Sequence, residues 1–313
     1  MIKLFTIMST SQIDDILTRP LDEVITIANR VRQENIGRQI ELCGIVNAKS
    51  GRCGEDCRFC AQSAHHNTDI LEYPLKTKNE IVAAAKESKE NGAERFGIVT
   101  SGNRLMPDEV KVVAEAVKEI AEKVGISPCA SLGALSEGSF KILKDAGLTR
   151  YHHNIETSER FYPNIVSTHS YEERINTVRL AKKAGFEICS GGIIGLGEDW
   201  QDRASMALLL KELDVDSVPL NFLVPVKGTP LENFKSISPV DAIRTIALFR
   251  IILKDKTIKV AAGRESVLKD YQDLIYMAGA NGMLIGGYLT VAGRSVDEDL
   301  ALVREVNEIW NRK

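Results

Sequence analysis

Several features are missing from the 313-residue sequence, and each absence excludes a class of protein. No apolar run approaches the roughly 20 residues that a membrane-spanning helix needs. No block of like charge stands out, because 40 basic residues are balanced by 43 acidic ones. A nucleic-acid-binding surface or a basic membrane patch is therefore not indicated. We expect a protein that binds neither nucleic acid nor membranes.

The N-terminal stretch MIKLFTIMSTSQIDD lacks the features of a signal peptide, because its apolar part is short and contains Lys3. Met8 is a second candidate start within this stretch. We therefore expect a cytoplasmic protein, in which thiols stay reduced. The six cysteines are then predicted to be metal ligands or buried apolar side chains rather than disulfides.

Short apolar runs alternate with amphipathic stretches that end in glycine, which is typical of strands alternating with helices. The runs span residues 39–47, 95–101, 128–133, 151–156, 186–195, 217–223, 257–262 and 282–287. Eight parallel strands joined by helices close a barrel. We predict an α/β fold, a (β/α)8 TIM barrel over residues 38–313, with an N-terminal helical extension over residues 1–37 that is broken near Pro20.

The stretch SGRCGEDCRFCAQS, at residues 50–63, holds Cys53, Cys57 and Cys60 in the spacing C-x3-C-x2-C. A structural zinc site needs four ligands and usually takes them from C-x2-C pairs, which this triplet does not form. Three thiolates with one open position fit a 4Fe-4S cluster. The spacing therefore favours an iron-sulfur cluster over zinc, in the loop after the first strand.

The other cysteines, Cys43, Cys129 and Cys189, lie on the predicted first, third and fifth strands. Taken singly, each is typical of a small buried apolar residue. Inward side chains of alternate barrel strands share a layer, however. Together the three sulfur atoms would form a second soft site deeper in the barrel.

The sequence resembles the biotin synthase family of the radical S-adenosylmethionine enzymes. The resemblance runs from about residue 40 to 290, through the cysteine triplet and YHHNIETSERFYPNIVSTHSYEERINT, CSGGIIGLGEDWQDRA, SVPLNFLVPVKGTPL, IRTIALFRI, AAGRES and YMAGANGMLIGGYLT. It implies conversion of dethiobiotin to biotin, with S-adenosylmethionine at the 4Fe-4S cluster and an auxiliary iron-sulfur cluster as sulfur donor. It also implies flavodoxin or ferredoxin as electron donor, contact with the iron-sulfur assembly machinery, and a homodimer.

The resemblance assigns further residues. The cofactor-binding residues that it implies are Phe59, Asn154, Glu156, Arg174, Gly195 and Val224, and the substrate-binding ones are Asn154 and Asn221. The family more often has Asp where Glu156 stands. An Asn at a strand end is, on its own, more typical of a cap. The glycines of GGIIGLGE do not follow G-x-G-x-x-G, so we expect a bend close to S-adenosylmethionine rather than a dinucleotide loop.

The auxiliary cluster is where the sequence departs from the family. Cys129, Cys189 and Arg264 match the family's ligand pattern, but its strand-two cysteine would fall at Gly97. Cys43 stands where we would expect Ser, so we hypothesise that it replaces the missing ligand. A 2Fe-2S cluster and a larger 4Fe cluster with an additional sulfide both remain open, as does a role for Arg264 in hydrogen bonding to cluster sulfides.

Two alternative functions remain at this point. One is a related radical barrel enzyme without sulfur insertion, similar to a hydrogenase maturase or methylornithine synthase. The loss of the cysteine at Gly97 favours it slightly, whereas Cys129, Cys189, Arg264 and Asn221 argue against it. The other is a non-enzymatic iron-sulfur or zinc protein that acts as a sensor or scaffold.

Overall fold

The structure, a computed structural model, describes residues 10–290 and 293–311. The candidate start at Met8 and the apolar beginning of the chain lie outside the described residues. No helix within the described ranges is both long and apolar enough to cross a membrane.

Parallel strands form one closed sheet at the centre of the structure. Their bounds are β1 (Glu41–Lys49), β2 (Arg95–Thr100), β3 (Ser127–Ser131), β4 (Arg150–His152), β5 (Glu187–Cys189), β6 (Gly192–Ile194), β7 (Ser217–Phe222), β8 (Thr257–Val260) and β9 (Gly282–Leu284). The order is β5-β4-β3-β2-β1-β9-β8-β7-β6, and β5 also pairs with β7. β5 and β6 are one predicted run interrupted at residues 190–191, so the barrel has eight strands, as predicted.

Helices surround the barrel and connect its strands. Their bounds are α1 (Thr10–Thr18), α2 (Leu21–Asn35), α3 (Lys78–Glu90), α4 (Pro107–Glu119), α5 (Glu137–Asp145), α6 (Tyr171–Lys183), α7 (Trp200–Glu212), α8 (Pro239–Leu253), α9 (Arg264–Leu268), α10 (Asp273–Met277) and α11 (Val296–Asn311). Thr77, Ser170 and Asp199 each cap a helix, because their side chains accept a hydrogen bond from the backbone N–H three residues later. These caps set where α3, α6 and α7 begin.

The predicted N-terminal helices are present, and they break at Pro20 as expected. α2 packs against α8 on the outside of the barrel. The guanidinium of Arg32 lies 3.7 Å from the ring centroid of Trp310 in α11, a favourable cation–π contact. Arg244 donates hydrogen bonds to the carbonyls of Ile16 and Arg19 at 3.1 and 2.9 Å. The extension is therefore attached to the barrel, and the boundary at residue 37 stays a prediction.

Candidate active site

The barrel encloses a cavity of about 360 Å³. Phe59 and Cys60, from the loop after β1, form part of its wall at the C-terminal end of the strands. Cys129, Cys189 and Lys259, which lie on strands, form another part of the wall deeper in the barrel. The cavity thus joins both cysteine groups that the sequence singled out.

The cysteine triplet lies in a loop whose backbone is held by its own hydrogen bonds. The N–H of Cys60 donates to the carbonyl of Cys57 at 2.9 Å, and the N–H of Ala64 donates to the carbonyl of Cys53 at 2.7 Å. All three thiols are free rather than paired in disulfides. They are therefore available as ligands.

Two acidic residues inside the triplet attach this loop to the segment before α6. The carboxylate of Asp56 accepts hydrogen bonds from the N–H groups of Ser167 and Thr168 at 2.9 and 3.2 Å. Although burial opposes it, these contacts hold the pKa of Asp56 below its usual range. Glu55 contacts Nδ1 of His169 at 2.6 Å. The loop is thus positioned before any cofactor binds.

The triplet fits an iron-sulfur cluster better than a single ion. Burial raises the pKa of Cys60 to about 11 and that of Cys57 further, so metal must supply the charge that stabilises the thiolates. Across residues 10–290 and 293–311, no three His, Cys, Asp or Glu side chains are close enough to hold one metal ion. A 4Fe-4S cluster separates its thiolates, because each binds a different iron.

Three of the predicted cofactor-binding residues form one connected unit. The Nη1 of Arg174 donates to the carbonyl of Asn154 at 2.9 Å and lies 3.6 Å from Glu156. The Nδ2 of Asn154 donates to Glu156 at 3.3 Å, and its Oδ1 accepts from the N–H of Gly191 at 3.1 Å. Glu156 has a φ of 70°, and a Cβ at Gly192 would lie 2.2 Å from its carbonyl oxygen. Glycine is therefore required for this approach of the two chain segments.

The other predicted cofactor-binding residues divide into two groups. Phe59 and Val224 line the cavity together with Asn154 and Glu156. Gly195 is not part of the cavity wall; it lies in the turn after β6 with a φ of 97°. Its N–H donates to the buried carboxylate of Glu198 at 2.9 Å, a contact that sequence reasoning missed.

Asn221 lines the cavity, and its amide is already engaged on both sides. Its Oδ1 accepts from the N–H of Ala262 at 3.1 Å, and its Nδ2 donates to the carbonyl of Gly192 at 3.3 Å. The amide therefore links β7 to β6 and to the segment after β8. One amide hydrogen and one lone pair remain for a ligand.

The deeper cysteines are joined by a lysine that the sequence reading missed. Cys43, Cys129, Cys189 and Lys259 come from β1, β3, β5 and β8, which are alternate strands of the eight-stranded barrel. The Nζ of Lys259 donates to the Sγ of Cys43 at 2.9 Å. A Cβ at Gly282 would lie 2.7 Å from the Cγ of Lys259, so this glycine makes room for the lysine. We call these four side chains the inner layer.

The contacts of Arg264 argue against the expectation that it binds the auxiliary cluster, which stays a prediction. Arg264 begins α9, beyond the end of β8, and does not line the cavity. Its fully buried guanidinium donates to Asp299 at 2.7 Å, to Gln272 at 3.0 Å and to Tyr288 at 3.0 Å. These partners occupy its donors, and one of them, Tyr288, lines the cavity itself. Lys259, by contrast, lies beside the deeper thiols, with its Nζ 2.9 Å from the Sγ of Cys43.

The inner layer is suited to an anionic group. Burial, together with the charge of Cys43, raises the pKa of Cys129 to about 12. Burial also acts to raise the pKa of Cys189, but His152 and Lys259 outweigh it and lower that pKa to about 6. The cations here therefore stabilise negative charge on sulfur.

Below the inner layer, ion pairs close the N-terminal end of the barrel. Glu41 accepts from Arg95 at 2.8 Å and from Arg150 at 2.9 Å, and it lies 2.7 Å from Lys259. Glu187 contacts the same two arginines at 2.9 and 3.0 Å. We call Glu41, Arg95, Arg150 and Glu187 the ionic floor. Sequence reasoning missed it, although charged residues at the starts of apolar strands were a visible signal.

Gly97 leaves strand two without a sulfur atom. In the β1–β2 register it pairs with Ile45, and a Cβ at Gly97 would lie 3.1 Å from the Cγ2 of Ile45. The isoleucine thus packs where a side chain of strand two would begin. The absence of the family's strand-two cysteine is accommodated by this contact.

Family comparisons match both halves of the chain. The Radical SAM superfamily model matches residues 48–210, and the Biotin and Thiamin Synthesis associated domain matches residues 219–308. The biotin synthase of Geotalea uraniireducens is 50% identical over 90% of this chain and 86% of its own length. That of Thermotoga petrophila is 48% identical over 95% and 99%, respectively. The chain belongs to the biotin synthase family.

As a member of the biotin synthase family, the chain is a radical S-adenosylmethionine enzyme that catalyses sulfur insertion. Its cofactors are S-adenosylmethionine, a 4Fe-4S cluster and an auxiliary iron-sulfur cluster. Cys60 of the triplet and the three deeper cysteines all line the cavity. The family assignment does not favour the alternative functions considered from the sequence.

Solved structures confirm the fold at lower sequence similarity. A methylornithine synthase structure aligns with a TM-score of 0.81 at 21% identity, covering 96% of this chain and 92% of its own. The FeFe-hydrogenase maturase from Carboxydothermus hydrogenoformans aligns with a TM-score of 0.81 at 20% identity, covering 95% and 74%. These structures share the barrel with the biotin synthase family.

Proposed function

We propose that this chain converts dethiobiotin to biotin. The observation that carries the proposal is a cavity lined both by Cys60, from the triplet loop at the C-terminal end of the strands, and by the inner layer deeper in the barrel. When bound, the cofactors supply the radical and the sulfur atom. The barrel orients the substrate between them and excludes water.

The residues that we propose to hold the cofactors and the substrate follow from this arrangement. Cys53, Cys57 and Cys60 hold the 4Fe-4S cluster, and the S-adenosylmethionine site comprises Phe59, Asn154, Glu156, Arg174, Gly195 and Val224. The support comes from the Asn154–Glu156–Arg174 unit beside the cavity. The free hydrogen-bonding positions of Asn221, together with Asn154, face the ureido group of dethiobiotin.

We propose Cys43, Cys129 and Cys189 as ligands of the auxiliary cluster, with Lys259 in the role first expected of Arg264. The support is the 2.9 Å contact between Lys259 and the Cys43 thiol. The cluster is the 2Fe-2S form or a larger 4Fe cluster with an additional sulfide, as the resemblance implies. Lys259 compensates the negative charge of its thiolates and sulfides.

The proposed partners and oligomeric state rest on family membership. We propose a flavodoxin or ferredoxin as electron donor, the iron-sulfur assembly machinery as the source of both clusters, and a cytoplasmic homodimer. Support comes from family membership at about 50% identity. Size-exclusion chromatography with light scattering tests the dimer.

The Cys43→Ser variant tests the proposal. Because a hydroxyl is a poor ligand for iron, the variant should lose iron and sulfide from the inner site and form no biotin. It should still cleave S-adenosylmethionine, since Cys53, Cys57 and Cys60 are unchanged. Ile45→Val, two residues along β1, is the matched control. Normal biotin formation by Cys43→Ser would show that Cys43 is only a packing residue.

A further inference from the structure

At the N-terminal end of the barrel, the ionic floor lies between the deeper cysteines and a partly exposed carboxylate. Arg95 and Arg150 are among the residues that line the cavity. Both guanidiniums also bond to Glu187, whose side chain is 43% exposed. A carboxylate in contact with water is thus bonded directly to cations that line the cavity.

The charges of this region attract a small anion. Arg95, Arg150 and Lys259 converge below the thiols, and Glu41 and Glu187 are the carboxylates that contact them. The Nη1 of Arg95 is buried and has no hydrogen-bond partner within residues 10–290 and 293–311. Leaving a buried donor unpaired is costly. An anion that approaches Arg95 would satisfy it.

We propose that the ionic floor is a port through which hydrosulfide reaches the inner layer between turnovers, with Arg95 and Arg150 binding the anion as it passes. This inference rests on the proposed function, because only an enzyme that gives up sulfide needs to replace it. Passage is a binding step without oxidation or reduction: the anion keeps its electrons, and its proton is released to water as sulfur binds iron.

A second opening at the N-terminal end of the barrel is useful because the C-terminal end is occupied during the reaction. The triplet loop, S-adenosylmethionine and dethiobiotin lie at the C-terminal end of the strands under the proposed function. Hydrosulfide is a single heavy atom, so displacement of the partly exposed Glu187 side chain is enough to admit it. The focused positive charge of two arginines raises the local anion concentration. Hydrosulfide can therefore reach the inner layer while S-adenosylmethionine and dethiobiotin occupy the C-terminal end of the barrel.

The test measures sulfide uptake directly. Holoenzyme that has completed one turnover anaerobically is given ferrous iron and 34S-labelled sulfide, in parallel with and without fresh dethiobiotin and S-adenosylmethionine. After desalting, protein-bound labelled sulfide is followed against time by mass spectrometry. Glu187→Ala removes the carboxylate that closes the floor and repels anions, so uptake should accelerate by roughly fivefold. Glu187→Gln, which is closer in shape, should accelerate it in the same direction.

The control is Glu172→Ala, which removes an exposed carboxylate that is also paired with an arginine, Arg179, at 3.1 Å on α6. Its uptake rate should equal that of the unsubstituted enzyme. An unchanged rate of sulfide uptake in both Glu187 variants would contradict the proposal. Uptake that stops when dethiobiotin and S-adenosylmethionine are bound would also contradict it. Failure of the proposed function looks different, because the unsubstituted enzyme would then form no biotin in its first turnover.

Discussion

Lys259→Met removes the inner-layer cation while nearly keeping its length. Lys259 is 5% exposed and contacts both Glu41 and the Cys43 thiol. Breaking a buried ion pair costs about 3–5 kcal/mol when the remaining charge is left alone. Glu41 keeps Arg95 at 2.8 Å and Arg150 at 2.9 Å, however. We therefore expect a loss of about 1–3 kcal/mol in the free energy of unfolding.

The larger effect of Lys259→Met should be on the inner cluster. Without the ammonium, the negative charge of three buried thiolates and their sulfides is less compensated. We expect anaerobically reconstituted protein to lose iron and labile sulfide from the inner site and to form little biotin. Cleavage of S-adenosylmethionine should continue. Lys259→Arg keeps the charge and is the control. Full retention of inner iron, sulfide and biotin formation by Lys259→Met would refute the reasoning.

Three further predictions concern residues around the cavity. Replacing Cys53, Cys57 and Cys60 together by Ala should abolish 5′-deoxyadenosine production, because the cluster proposed to bind S-adenosylmethionine loses all three of its thiolate ligands. Persistent production, measured by chromatography, would contradict the assignment. Asn221→Ala should weaken dethiobiotin binding about tenfold, since an unpaired buried polar group costs roughly 1–3 kcal/mol. Equal weakening of S-adenosylmethionine binding would show that Asn221 shapes the barrel instead. Arg264→Gln should lower the free energy of unfolding by about 3–5 kcal/mol, because it breaks a fully buried ion pair. The folded fraction should retain inner iron, and selective loss of that iron would restore Arg264 as a ligand.

The barrel was predictable from the sequence because its signal is periodic. Each apolar run falls on a strand, and the glycines after the helices mark the turns into the strands. The interruption between β5 and β6 was not predictable from periodicity. It depends on Gly191, where a Cβ would lie 2.0 Å from the carbonyl oxygen of Pro219. Such an approach between strands is visible only in three dimensions.

The contrast between Arg264 and Lys259 shows what motif resemblance could not predict. The resemblance pointed to Arg264, whereas the side chain that contacts a deeper cysteine is Lys259, five residues earlier. Lys259 lies within a barrel strand, between two apolar residues, whereas Arg264 begins the helix that follows. The available signal was a charged residue inside a predicted barrel strand. Because side chains alternate between the two faces of a strand, Lys259 faces the barrel interior when Ile258 and Val260 face outward.

The most direct test of the central claim follows the sulfur atom from the inner layer to the product. Protein reconstituted with 34S-labelled sulfide is freed of unbound sulfide and given dethiobiotin, S-adenosylmethionine and reductant without oxygen. We predict that the first biotin formed carries the heavy isotope, and that Cys43→Ser protein, prepared in the same way, forms none. Unlabelled biotin from the labelled enzyme, or cleavage of S-adenosylmethionine with no biotin at all, would contradict the account.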